Sequence, residues 1–439
     1  MKASIFTRHF AATALVGLLT LGSAISEEAP ATKPEFAFRD GDRVLFLGDS
    51  ITEQKLYTTY IEAYAVTRFP KLKLAFANRG WGGDTAWMRM RSFPDEKDLF
   101  AAEGDAQQKL IEESVDNVLI RDVVTFKPTI VLINFGMNDC NREPFREDLF
   151  RAYVRGQKEI VKVLTKNSAR PFLVTPQPLE PLIADPSSDP RNQSLRKFAD
   201  GLKDIAAKQN LTFLDQFDPY MVILKREHAQ NAKVNIGGGD EIHPAPVGHT
   251  IMAAIILKQL NAPALVSSVE LDCSDAQNAK LVNTTRCKVA NIQSEKGALA
   301  FERSDESLPM PVDAAAVDAL KIAPVLDDLN RYEIKITGLT ADRYDVMIDD
   351  ELATTLSKQE LAKGWNLAMT AGPITKQAQE VLALIFKKNV LGQTLWEAQI
   401  HNRKKQLTTH PEQVADLEAQ ITTACQPKMY RFTIKPSGN

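Results

Sequence analysis

Four short blocks of this sequence carry side chains that could act together in one reaction. Ser50 follows an apolar run in RVLFLGDSITE, Asp240 and His243 stand three positions apart in GGDEIHP, and Asn138 lies in FGMND; the fourth block, NRGWGGDT, offers the backbone amides of its glycines. A serine becomes a nucleophile when a histidine takes its proton and a carboxylate orients that histidine. The oxyanion that forms needs hydrogen-bond donors, such as a carboxamide or backbone amides. These residue types together predict acyl transfer through a covalent serine intermediate.

Each block also has a simpler structural interpretation. Gly, Asp and Ser are common turn residues, and Asp49 or Ser50 would cap the helix predicted to follow. The glycines of NRGWGGDT can serve a turn alone, since they allow backbone conformations that other residues avoid. His228 and His249 are rival bases, but each lies in a predicted helix and is interpreted as a surface or packing residue. The presence of complementary roles in one chain favours catalysis over four separate turns.

The elements that must position these residues alternate along residues 40–262. Five apolar runs, each followed by an amphipathic segment, predict strands and helices: VLFLG, LKLAFANRG, TIVLINFG, PFLVTPQP and LTFLDQF. Such alternation is typical of a parallel sheet covered on both faces. We therefore predict an α/β fold, a flavodoxin-like three-layer α/β/α sandwich with a five-stranded parallel sheet. All four blocks then fall at the carboxyl ends of strands, where such sheets bind ligands.

After Pro263 the pattern of the sequence changes. YEIKI, YDVMI and YRFTI alternate apolar and polar residues, which predicts half-buried antiparallel strands. The composition of residues 374–424, rich in Ala, Gln, Glu, Lys and Leu, favours two or three helices, with a helical hairpin as one arrangement. The prediction is a C-terminal α+β accessory region over residues 268–439, with YRFTI joining the sheet that contains YEIKI and YDVMI.

Composition limits the class of protein. The 53 basic and 56 acidic residues among 439 give a net charge of −3, which argues against nucleic-acid binding. Residues 1–24 have the charged start, apolar run and small residues of a signal peptide, and no later stretch is long and apolar enough to span a bilayer. No cysteine lies near that segment, so no lipid anchor is predicted. The predicted location is periplasmic or secreted.

The four cysteines bear on metals and on disulfides. Their spacing contains no Cys-x-x-Cys pair, and neither a metal nor a cofactor is predicted. Export to an oxidising compartment makes a Cys273–Cys287 disulfide the expected pairing, while Cys140 and Cys425 are weaker candidates.

The order of the four blocks resembles that of the SGNH, or GDSL-type, hydrolases, whose motifs are Gly-Asp-Ser, a glycine, Gly-x-Asn-Asp and Asp-x-x-His. The resemblance covers residues 40–262. It implies that Ser50 is the nucleophile and that Asp240 and His243 complete a triad. It also implies an oxyanion hole made by the Ser50 amide, Gly83 and Asn138. Gly82 adjoins Gly83, and the Gly-Asp-Thr context of the family selects Gly83.

The resemblance further implies a carboxylic ester hydrolase acting on short acyl groups, with acetyl groups on a small molecule or polysaccharide as the leading substrate. Two alternatives remain open in the sequence: a lysophospholipase or thioesterase, and a non-catalytic secreted binding protein. Trp81, Trp87 and Arg79 could bind a sugar or could pack in the core. Arg142 and Glu143 fit an ordinary solvated face, and Trp365 and Trp396 fit the core.

Overall fold

The protein is described by a computed structural model that covers residues 35–92, 96–275, 277–400 and 410–438. The predicted signal peptide, residues 1–24, lies outside the described residues. In the described part, the strands are β1 Arg43–Gly48, β2 Ala75–Gly80, β3 Ile130–Asn134, β4 Arg170–Val174, β5 Thr212–Leu214, β6 Leu265–Asp272, β7 Lys280–Thr285, β8 Cys287–Glu295, β9 Ala298–Asp305, β10 Arg331–Thr337, β11 Arg343–Ile348, β12 Glu351–Ser357, β13 Trp365–Asn366 and β14 Met429–Pro436.

The α-helices of the same ranges fall mainly between the first five strands and near the C-terminus. They are α1 Ser50–Glu53, α2 Leu56–Arg68, α3 Glu96–Ala101, α4 Gly104–Asp122, α5 Glu147–Lys166, α6 Pro190–Gln209, α7 Phe217–Gln230, α8 Pro246–Gln259, α9 Ala319–Ile322, α10 Val325–Leu329, α11 Lys358–Lys363, α12 Pro373–Ile400 and α13 Pro411–Ala424. Over these described residues, we find no helix with the length and apolar character needed to cross a membrane.

The first five strands form one parallel sheet in the order β2-β1-β3-β4-β5. This is the predicted flavodoxin-like order, with the reversal of strand order at β1 and β3. Strands β1 and β3 are buried almost throughout, as expected for apolar runs covered on both faces. Helix α2 packs against α8, while α4, α5 and α6 pack in series. The predicted α/β class is confirmed.

The C-terminal strands form two further sheets, in the orders β13-β10-β6-β7 and β12-β11-β14-β9-β8. Both sheets contribute to one hydrophobic cluster, in which Ile334 of the first lies with Phe301 and Phe432 of the second. YRFTI, in β14, pairs antiparallel with YDVMI, in β11, as predicted. YEIKI, in β10, instead pairs with β6, so the prediction of one common sheet is wrong for this strand. Strand alternation fixes which face is buried but leaves the pairing partner open.

The helices of the C-terminal half also join the core of the first sheet. Side chains from α12 and α13, among them Val381, Ile385 and Ile421, belong to the same cluster as the buried residues of β1 and β3. Helix α12 packs against α2 and α13, forming the predicted helical hairpin. Residues 36–439 accordingly cluster as one compact unit.

The predicted Cys273–Cys287 disulfide is wrong for this structure, because all four cysteines are buried free thiols. The Cys287 thiol donates to the carbonyl of Ser268, at 3.2 Å. Ser268 lies in β6, and Cys273, five residues later, directly follows that strand, roughly 16 Å away at the usual rise of about 3.3 Å per residue. Because Cys287 lies beside Ser268, its Cα atom is farther from that of Cys273 than the limit of about 7 Å for a disulfide.

Candidate active site

The structure brings the four sequence blocks to one edge of the parallel sheet. Ser50 follows β1, Gly83 follows β2, and Asn138 follows β3, each within a few residues of the strand end. Asp240 and His243 lie in the loop between α7 and α8. The Trp81 amide donates to the Gly48 carbonyl at 3.0 Å, which ties the glycine block to the serine block.

The predicted triad residues are in hydrogen-bond contact. Ser50 Oγ lies 3.0 Å from His243 Nε2, and His243 Nδ1 lies 3.2 Å from Asp240 Oδ2. With Nδ1 facing a carboxylate, the imidazole tautomer with its proton on Nδ1 leaves Nε2 free to accept the serine proton. This arrangement can therefore activate the Ser50 hydroxyl.

The loop itself holds the Asp240 carboxylate in place. The amides of Ile242 and His243 donate to Asp240 Oδ1 at 2.7 and 2.6 Å. Partial burial opposes ionisation of Asp240, but the bonds from these two amides and from the His243 ring outweigh it and hold the pKa below its usual range. The Asp240 side chain is 63% exposed and that of His243 33% exposed, so the pair is open to a large substrate.

A buried acid begins the turn that presents Ser50. Asp49 is the N-cap of α1, and its side chain accepts from the Ile51 amide at 3.0 Å. Burial raises the pKa of Asp49 to about 7; the Ile51 amide opposes this rise and nearby Asp84 adds to it. The predicted helix after Ser50 is interrupted at Lys55, whose φ is +65°, and resumes as α2. One turn thus contains both the helix cap, Asp49, and the predicted nucleophile, Ser50.

Gly83 occupies a backbone conformation that suits a glycine. Its φ is +75°, in the left-handed region. The Gly83 carbonyl accepts from Arg89 Nε at 2.8 Å. This bond closes the loop from Gly83 to Arg89 and holds the Gly83 carbonyl in place.

Asn138 is buried, and its carboxamide is bonded at both ends. Its Nδ2 donates to the Asp84 carbonyl at 3.1 Å, and its Oδ1 accepts from Arg142 Nη1 at 3.3 Å. One N–H of the carboxamide remains for another acceptor, because the NH₂ group has two donors.

Asp139 holds the backbone around Asn138. Its carboxylate accepts from the amides of Ala86 and Gly136 at 2.8 and 2.9 Å. Burial raises the pKa of Asp139 to about 8, with the Ala86 amide opposing this and Asp49 contributing. The second and third blocks are therefore joined by a buried acid.

The two rival histidines are buried and are hydrogen-bonded to groups other than Ser50. His249 lies between the Tyr57 amide, at 3.3 Å, and Gln54 Oε1, at 2.8 Å, and burial lowers its pKa to about 3. His228 Nδ1 lies 2.8 Å from the Ile183 carbonyl, and its Nε2 lies 3.5 Å from Glu180.

Three contacts to the predicted site residues and their loop were not predicted from the sequence. Arg142 touches Asn138, although its position suggested a solvated face, and Arg89 touches Gly83. Glu180 accepts from the amides of Ile236 and Gly237, at the start of the Asp240 loop. Arg142 and Arg89 are close in sequence to the blocks that they contact, whereas Glu180 is separated from its partners by more than 50 residues and gives no local signal.

A tryptophan of the C-terminal half reaches the glycine block. Trp396 of α12 makes an edge-on contact with Trp81, with ring centroids 5.7 Å apart. The Arg79 guanidinium lies 4.8 Å from the Trp396 ring centre. Trp396 is buried, as predicted, whereas Trp81 is only partly buried beside the crevice. Within the described ranges, no group of three or more histidine, cysteine, aspartate or glutamate side chains is arranged to hold a metal ion.

Known proteins resemble this chain in sequence and fold. Residues 46–251 match the model of the GDSL-like lipase/acylhydrolase family. An acetylxylan esterase from Geobacillus stearothermophilus is 25% identical over 244 residues, covering 50% of this chain and 94% of that protein. The solved structure of a gut microbial diltiazem-metabolizing enzyme has a TM-score of 0.76 at 22% identity, covering 91% of this chain and 98% of that one. The fold of both halves of the chain is therefore shared with a known structure.

Proposed function

We propose that this chain, a carboxylic ester hydrolase of the GDSL-like lipase/acylhydrolase family over residues 46–251, is an exported serine esterase that removes short acyl groups from carbohydrate. Acetyl is the acyl group that we propose. The observation that carries the proposal is the continuous series of contacts from Ser50 through His243 to Asp240. Export is supported by the signal-like composition of residues 1–24.

The acylation step follows from these contacts. His243 Nε2 takes the Ser50 proton as Ser50 Oγ attacks the ester carbonyl carbon. The amides of Ser50 and Gly83 and the free N–H of Asn138 donate to the oxyanion. His243 then gives its proton to the leaving alcohol, which leaves the acyl group on Ser50. Asp240 keeps the imidazole oriented and stabilises its charged form.

Deacylation uses the same groups with water in place of the alcohol. His243 takes a proton from a water molecule, whose oxygen attacks the acyl carbon of the Ser50 ester. The oxyanion is again bound by the same donors, and collapse returns the proton to Ser50 Oγ as the carboxylic acid leaves. Each cycle consumes one ester and one water and releases one alcohol and one acid.

The proposed substrate class is supported by two features. The exposed side chains of Asp240 and His243 would admit a bulky alcohol such as a sugar chain. Trp81 lies within the glycine block and is partly buried, and its ring is of the kind on which a sugar can pack. The relative that is an acetylxylan esterase adds support for an acetylated carbohydrate.

Two substrate panels test this proposal. The first measures acetate released from acetylated xylan and from other acetylated polysaccharides, and the second uses nitrophenyl esters of increasing acyl length. We expect acetate release and a kcat/KM that falls as the acyl chain lengthens, with both activities lost in Ser50→Ala. Rates that rise with chain length would contradict the short-acyl proposal and favour a lipid substrate.

A further inference from the structure

Two arginines contact the proposed oxyanion donors without taking part in the steps above. Arg142 Nη1 donates to Asn138 Oδ1 at 3.3 Å, and Arg89 Nε donates to the Gly83 carbonyl at 2.8 Å. Arg89 Nη1 also lies 3.5 Å from Asn141 Oδ1, so its guanidinium connects the Gly83 segment to the turn that carries Arg142.

The Arg142 contact determines which end of the Asn138 carboxamide faces each partner. A guanidinium has only donors, so it can pair with Oδ1 but not with the NH₂ group. The Asp84 carbonyl, 3.1 Å from Nδ2, can pair only with that NH₂ group. A flipped carboxamide would place its NH₂ group against the Arg142 guanidinium, where both are donors. It would also place Oδ1 against the Asp84 carbonyl, where both are acceptors. Arg142 and Asp84 therefore hold the orientation in which the second N–H is free for the oxyanion.

The backbone that returns Arg142 to Asn138 is strained. Asn141 and Arg142 both have positive φ, of +50° and +55°. For a residue other than glycine, the left-handed backbone conformation costs roughly 1–2 kcal/mol, and asparagine tolerates this conformation better than arginine. Such strain is concentrated at functional sites, where the surrounding structure maintains it. Here the strained backbone turns the Arg142 guanidinium towards the carboxamide of Asn138, four residues earlier in the chain.

We infer that Arg142 is a positioning residue for the oxyanion donor Asn138, and that Arg89 holds the Gly83 donor to the same turn. This inference rests on the proposed function, because it assigns the two arginines to the oxyanion site of that reaction. It predicts that removing the Arg142 guanidinium weakens the transition state more than it weakens substrate binding, since the oxyanion forms only after attack.

The test compares Arg142→Met, Arg142→Lys and a matched control, Arg146→Met, on nitrophenyl acetate. Arg146 lies four residues later and pairs with Glu143 and Asp148 at the surface. We expect Arg142→Met to lower kcat about 10-fold to 100-fold with KM within about 3-fold, less than the 10²-fold to 10³-fold loss typical of a deleted donor. Arg142→Lys should recover part of kcat, and Arg146→Met should match the unmodified protein.

A double variant gives a readout that a merely structural role would not produce. Because Arg142 acts through Asn138, Asn138→Ala with Arg142→Met should be no slower than Asn138→Ala alone. The inference would be overturned if the loss of kcat in the double variant equalled the product of the two single losses. It would also be overturned if the kcat of Arg142→Met lay within about 2-fold of the unmodified protein. If Arg142→Met does not fold, the same two criteria are applied to Arg142→Ala, which likewise lacks a donor for Asn138 Oδ1.

Ser50→Ala separates this inference from the proposed function. If Ser50→Ala is inactive and Arg142→Met is fully active, the serine mechanism stands and only the positioning role of Arg142 is contradicted. Activity retained in Ser50→Ala removes the serine mechanism itself.

Discussion

Asp240 is the residue whose surroundings most clearly match its proposed role. Its carboxylate accepts two amides of its own loop before it meets the His243 ring. These bonds favour the charged form, so the lowered pKa of Asp240 keeps a full negative charge beside the imidazole at neutral pH. The associated stability is present above the unfolded pKa, near 4, and is lost as pH falls through the lower folded value.

Replacing Asp240 by asparagine removes this charge with little change in shape. We expect Asp240→Asn to lower kcat on nitrophenyl acetate by on the order of 10³-fold to 10⁴-fold, because the amide no longer favours the required tautomer or stabilises the imidazolium. Steady-state kinetics beside a thermal melt would measure this. A variant with nearly normal kcat would mean that another carboxylate orients His243.

Asp49 provides a pH-dependent prediction about stability. Its folded pKa, about 7, lies above the usual aspartate value, near 4, so the folded state keeps a proton that the unfolded chain has released. Stability from this group is therefore full below about pH 4 and is lost as pH rises towards 7. Asp49→Asn carries no such proton. Relative to the unmodified protein, its free energy of unfolding should rise by roughly 1 kcal/mol or more between pH 4.5 and pH 8.

Urea unfolding at several pH values measures this difference. Asp204→Asn, at an exposed position on α6, is the matched control and should show a constant difference from the unmodified protein. A constant difference for Asp49→Asn as well would contradict a raised pKa at Asp49.

At the scale of elements, the loop between α7 and α8 depends on Glu180. The Glu180 carboxylate accepts from the amides of Ile236 and Gly237, and the Glu180 amide donates to the Glu241 carbonyl at 2.9 Å. Glu180 therefore contacts the loop on both sides of Asp240. The loop has no regular structure of its own, so these bonds, together with the one from Gln177 to the Ile242 carbonyl, hold Asp240 and His243 in place.

Glu180→Gln replaces one of the two accepting oxygens by a donor. One loop amide then faces an NH₂ group, which should cost about 1–3 kcal/mol of unfolding free energy and lower kcat roughly 10-fold through misplacement of the triad. Glu113→Gln, at an exposed position on α4, should change neither quantity. A Glu180→Gln variant with unchanged kcat would show that the loop keeps its geometry without this carboxylate.

The sequence predicts those elements whose signals are local. Strands β1 and β3 each contain four consecutive apolar residues followed by turn residues, so both their positions and the side chains that follow them could be predicted. Glu180 could not be predicted, because the contact depends on how two distant loops meet. The pairing of β10 with β6 was missed for the same reason, since an alternating strand specifies a buried face and not a neighbour.

For the whole molecule, the main feature is the packing of the α12–α13 hairpin on the first sheet. Lys388 of α12 forms a buried ion pair with Glu62 of α2, and Asn389 also donates to Glu62, at 3.1 Å. Lys55 Nζ donates to Gln393 of α12 and to the Glu53 carbonyl at the end of the Ser50 helix. The hairpin thus contacts α2 and, through Lys55, the end of α1, the helix that begins with the proposed nucleophile Ser50.

Removing one partner of the buried pair should be strongly destabilising. Lys388→Met leaves the Glu62 carboxylate buried without its cation, at a cost of about 3–5 kcal/mol of unfolding free energy. Lys387→Met, at the exposed neighbouring position, should be nearly neutral. Chemical denaturation compares the two variants, and equal stabilities would mean that water or another cation compensates Glu62.

The shared core also bears on the predicted domain boundary at residues 263–268. Helices α12 and α13 cover apolar side chains of the first sheet and its helices. We therefore expect residues 25–265 expressed alone to be insoluble or markedly less stable than the full chain. A soluble fragment with full activity on nitrophenyl acetate would instead support an independent catalytic domain.

The most direct test of the central claim is to locate the covalent adduct left by a fluorophosphonate that inactivates the full chain. Peptide mass spectrometry after stoichiometric inactivation should find one adduct, on Ser50, in proportion to the loss of nitrophenyl acetate hydrolysis. An adduct on a different residue, or full activity in protein whose Ser50 is modified, would contradict the account.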